Sequence, residues 1–112
     1  MKEALIRYLD SRTEWHMQEQ ARLKKACCDD EAAHQQIMIN VYGIFRSIWQ
    51  AMKYDLAETL RRFSSIVDTW DKQHRLAFEH DNAGQQLIEK IKIDCALEII
   101  RYAKELEMTH HD

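Results

Sequence analysis

The chain has 112 residues, with no Pro and only two Gly; 46% are hydrophobic and 31% charged. That length holds one domain and that apolar share fills one core, which excludes a disordered or collagen-like chain, and so few turn formers disfavour a hairpin-rich β fold. Sixteen Lys and Arg against nineteen Asp and Glu give a net charge of −3 without a basic stripe, so no nucleic-acid partner is expected.

Charges at Lys2, Glu3 and Arg7 interrupt the first residues before a secretory apolar core can form. No apolar run approaches the roughly 20 residues that span a bilayer, so no membrane association is expected. Three Cys, two of them adjacent at Cys27-Cys28, are a poor disulfide framework and suit the reducing cytoplasm.

Residues 3–28 carry Leu5, Leu9, His16, Leu23 and Cys27 within one arc at helical spacing, a stripe that is polar in its middle. Asp29-Asp30-Glu31 supplies caps and first-turn acids for a second helix with the stripe His34, Ile37, Val41, Ile44, Phe45, Ile48 and Met52. Asp55-Leu56-Ala57-Glu58 has the form of a capping box and opens a third stripe of Leu60, Phe63, Val67, Trp70, His74 and Ala77. Ser65 with Asp68 is a competing cap, which extends the second helix to about Phe63 and leaves a short third one. Asp81 or Asn82 caps a fourth helix with Ile88, Ile91, Cys95, Ile99, Tyr102 and Leu106 in line.

Turns near residues 29, 55 and 81 give four segments of about 25 residues, each about 38 Å long. Short loops between equal helices predict an all-α, antiparallel up-down-up-down four-helix bundle over residues 1–108, with 109–112 as a frayed tail. The alternative is three long helices of unequal length.

The second helix is apolar beyond its stripe at Ile39, Tyr42 and Trp49. A small-residue strip of Asn40, Gly43, Ser47 and Ala51 runs along another flank, and an interior glycine suggests close approach of another helix. Ile93 and Ile100 lie about 120° off the fourth stripe. Ile39, Tyr42, Gly43, Ser47, Trp49, Ile93 and Ile100 are therefore the expected interface of a homo-oligomer, a two-fold dimer being the commonest form. Association without catalysis is the expected function.

Three of the six His fall on core stripes: His16, His34 and His74. Folding the chain back near Asp55 sets His34 level with His74, with His16 about 10 Å further along the axis. Glu31 precedes His34 by three residues and Asp71 precedes His74 by three, so each pair shares a helix face. A carboxylate-x-x-His pair on each of two helices resembles part of the ligand set of ferritin-like di-iron bundles, which implies an alternative function as a metal-binding or oxidoreductive bundle holding Fe, Mn or Zn. Glu19 and Glu89 are the carboxylates the other two helices offer, although Glu89, like Asp71, falls off its stripe. A mononuclear set of His34, His74, Glu31 and Cys27 is a further arrangement. Met38 and Phe78 stand four residues after His34 and His74, so the paired ligands of hemerythrin-like bundles are missing and no family is assigned. The competing account is a structural polar layer, with no cofactor, that fixes helix register.

Overall fold

A computed structural model describes residues 1–109. The chain is an all-α four-helix bundle: α1 (Lys2–Lys25), α2 (Asp29–Ala51), α3 (Leu56–Glu79) and α4 (Ala83–Thr109). The last helix takes in Thr109, the first residue of the segment expected to fray, and His110, His111 and Asp112 lie outside the described residues. None of the helices is long and apolar enough to cross a membrane.

The chain does reverse at Asp55, whose carboxylate accepts the Glu58 amide at 3.1 Å. Behind this cap the Thr59 hydroxyl donates to the Asp55 carbonyl at 2.6 Å. Ser65 and Asp68 lie inside α3 and cap nothing. Asn82 caps α4, accepting the Gln85 amide at 3.1 Å.

All three turns close in the same way, with an amide reaching back five residues: Cys28 to Leu23, Tyr54 to Trp49 and Asn82 to Ala77, each at 2.8 Å. Such closures need a left-handed residue just past the helix end. No glycine is there; Cys27, Lys53 and Asp81 take φ of 60°, 53° and 53°, and Tyr54 follows at 64°.

The helices pair as two antiparallel hairpins, α1 on α2 and α3 on α4. The hairpins join mainly through α2 against α4, with less of α2 on α3, least of α1 on α4, and no packing of α1 on α3 among the described residues. The core sits at one end. Leu5 and Leu9 of α1 meet Phe45 and Trp49 of α2, Phe63 and Val67 of α3, and Ile99 and Ala103 of α4, all within one buried cluster. Phe45 and Phe63 pack edge to face at 5.1 Å, and Phe63 continues to Trp70 at 6.4 Å. These are the geometries that aromatic quadrupoles favour.

Toward the α1–α2 and α3–α4 turns this packing thins. Leu23, Ala32 and Ala77 are buried there, whereas Phe78 is 67% exposed and Leu76 and Leu87 are nearly half exposed. The molecule is accordingly flattened, 47 × 35 × 22 Å, and its 15.2 Å radius of gyration exceeds the roughly 13 Å of a compact domain this long.

Because α2 is the central helix, the extra apolar width of its surface is covered from within. Tyr42 and Trp49 are 1% exposed, which corrects their expected place on an outer interface. Ile93 and Ile100 are half-buried against the same core, so they too contribute to the fold itself.

Candidate functional site

Glu31 is exposed in the first turn of α2; Asp71 is exposed and pairs with Arg75 at 3.2 Å. His34 and His74 are half-buried. Among the described residues no three His, Cys, Asp or Glu side chains gather closely enough to hold a metal ion. The fold-back is where the pattern puts it, but α2 leans on α4 more than on α3.

Cys27 is exposed in its turn, not on the inner face. Glu19 is engaged by Arg22, whose hydrogen bonds hold its carboxyl below the usual range. Glu89, which falls off the α4 stripe in sequence, is 3% exposed. Its Oε1 accepts from Gln85 at 2.7 Å and from Lys92 at 3.1 Å, and its Oε2 has no partner. Lys92 also lies 5.5 Å from the centroid of the Trp70 ring, a cation–π contact that helps hold the ammonium over this buried carboxylate.

The most organised polar cluster forms around His16, 3% exposed in the middle of α1. Helical spacing sets Tyr8, Arg12 and His16 on one face of α1, the face that also carries Leu5 and Leu9. His16 Nδ1 lies 2.6 Å from Gln35 Oε1, and its Nε2 lies 3.4 Å from Arg12 Nη2. A guanidinium only donates, so Nε2 accepts and Nδ1–H donates to Gln35. Arg12 Nε donates to the Tyr42 hydroxyl at 3.3 Å. That bond holds the guanidinium above its ordinary pKa, and burial raises Tyr42.

Aromatic rings frame the cluster. Tyr8 stacks on Tyr102 at 3.7 Å and meets Tyr42 edge-on at 6.3 Å, joining α1, α4 and α2. The Tyr8 hydroxyl is buried without a hydrogen bond of ordinary geometry, and burial pushes its pKa well above the usual value. Trp15, half exposed, is edge-on to His16 at 5.0 Å and lies under Arg12 at 5.4 Å.

Between α1, α2 and α4 this cluster opens on a pocket of about 250 Å³. Arg12, His16 and Tyr42 supply its polar side; Met38 and Ile91 supply apolar wall. Cys95 lies there as well, its thiol donating to the Met38 carbonyl at 3.9 Å. Burial pushes that thiol up to about 12, which leaves it protonated and a poor nucleophile near neutral pH.

Tyr8, Arg12 and Gln35 were not singled out by sequence reasoning, although Tyr8 and Arg12 share the His16 stripe. A polar residue one or two turns from a core histidine was the available signal.

On the opposite side of Tyr42 a groove of about 410 Å³ runs between α1 and α2, past Met17, Ile39 and Gly43. An ion pair between Asp10 and Arg46 bridges the two helices along it. Gly43 and Ser47 are exposed here, and Ile39 is half-buried.

These features define the class of the protein as a two-hairpin helical bundle with a polar pocket at His16 and a small-residue face at Gly43. Comparison with known protein families, with characterised proteins and with solved structures finds no match.

Proposed function

We propose that the chain acts by association with a second copy of itself, as a two-fold dimer whose contact centres on Gly43 of α2. The observation that carries this reading is the unused space at that glycine. Gly43 lies in the interior of a 23-residue helix and is exposed, and a methyl group added there would meet no heavy atom within 4 Å. Glycine at such a position costs about 1 kcal/mol relative to alanine, and no contact among the described residues repays it.

Close approach of a neighbouring helix gives the missing benefit. Asn40, Ser47 and Ala51 are exposed on the same flank and keep it shallow. Ile39 and the half-exposed Met17 add apolar area at its edge. A two-fold axis through this strip sets it against its own copy, the self-complementary arrangement that closed dimers use. The cytoplasm is the proposed compartment, and the three unpaired thiols fit a reducing one. With acidic and basic residues interspersed, no nucleic-acid partner is proposed.

Sedimentation equilibrium tests the reading. The wild-type chain is expected at dimer mass, with Gly43→Leu monomeric. Gly43→Ala should weaken the dimer while stabilising the isolated fold by roughly 0.5–1 kcal/mol. A wild-type mass of one chain at high concentration, or a dimer indifferent to Gly43→Leu, overturns it.

A further inference from the structure

The pocket between α1, α2 and α4 holds an arginine that no carboxylate of the described residues touches, although the charge of Glu98 acts on it from the same lining. Arg12 uses Nε on Tyr42 and one Nη2–H on His16, and it lies over Trp15; among the described residues no carboxylate forms an ion pair with it. A half-buried guanidinium keeps its planar fork of donors, and its preferred partner is a carboxylate taken two-pronged. Tyr42 and His16 engage two of its N–H donors, so a ligand meets an already oriented group.

The rest of the pocket sets the size and charge of what fits. Met38 and Ile91 offer apolar surface to the body of a ligand. Cys95 adds no charge, since its thiol stays protonated near neutral pH. Glu98 stands at the lining with its carboxylate exposed; the other acid there, Asp94, is paired with Lys90 at 3.0 Å. Glu98 at the edge opposes a multiply charged anion such as phosphate more than a singly charged one. A volume of about 250 Å³ lies below the usual range of drug-sized sites, which limits the occupant to one ring or a short branched chain.

We propose that this pocket binds a small organic monocarboxylate with an apolar body, its carboxylate on Arg12 and its body against Met38 and Ile91. Such a molecule puts a carboxylate in direct contact with the guanidinium, which Glu98 reaches only through its field, and fills the apolar wall in one step. The site is separate from the Gly43 face, and dimer formation is not required for it.

Titration calorimetry and methyl NMR on the full chain test the proposal, with 3-phenylpropionate as the probe. One site per chain is expected, with shifts at the Met38 and Ile91 methyls. The neutral 3-phenylpropionamide and inorganic phosphate should each bind at least about tenfold more weakly, because a charged hydrogen bond is worth that much in affinity. Arg12→Met should weaken the acid to the level of the amide. Ile91→Trp, which fills the cavity and keeps Arg12, should abolish both. Equal binding of acid and amide, tighter binding of phosphate, or no methyl shift up to about 10 mM acid overturns the proposal. The amide and phosphate comparisons use the wild-type chain, so they decide even if a variant fails to fold.

Discussion

Cys95 shows how burial changes what a residue does. Its thiol is pushed up to about 12 by burial first and by the charge of Glu98 second, against an ordinary value of 9.0. Below that ordinary value the thiol is protonated in both folded and unfolded chains, and its contribution to stability is fully present. As pH rises past it, the unfolded chain releases the proton and the fold does not, so stability falls. The expected loss is about 1.4 kcal/mol between about pH 8 and pH 10, read from urea melts, and Cys95→Ala should flatten that limb. An unchanged limb in the variant would show that the folded thiol ionises freely. The placement of Cys95 was legible in the α4 stripe. Tyr42 and Trp49 were misread as outward-facing, because the width of an apolar arc shows how much surface is covered and not whether the cover is the same chain. Glu89 was misread for a related reason: it needed Gln85 and Lys92 on the same helix to become tolerable inside, a local arrangement that one apolar stripe does not display.

At the level of elements, the helix starts were the clearest features of the sequence. Acidic first-turn residues mark α2, Asp55 caps α3 and Asn82 caps α4, as the pattern indicates. The stops were obscure, because Cys27, Lys53 and Asp81 take the left-handed conformation that a glycine usually supplies. A non-glycine residue in that conformation costs about 1–2 kcal/mol, part of which glycine loses again through its freer unfolded chain. Lys53→Gly, at an exposed position, is therefore expected to stabilise the fold by about 0.5–1 kcal/mol in a denaturant melt. A destabilised variant would mean that the lysine side chain contributes more than its backbone costs.

For the whole molecule, the up-down order of four equal helices was readable from the segment lengths, but the pairing of hairpins was not. Periodicity identifies the inward face of each helix and leaves open which neighbour it meets; α2 meets α4 more than α3. The core is concentrated near the Asp55 turn and thins toward the other two turns. Native-state hydrogen exchange should follow this gradient. Amides around Phe45, Phe63 and Ile99 are expected to exchange only through global unfolding, and those flanking Leu23 and Ala77 through local opening with at least about tenfold less protection. Uniform protection along all four helices would contradict the gradient.

The pocket draws its guanidinium and phenol from the first hairpin and its thiol and isoleucine wall from the second. Anything seated there acts as a clasp across the seam between the two hairpins. Its occupancy and the melting temperature of the entire bundle must then rise together, whichever of the two is measured first.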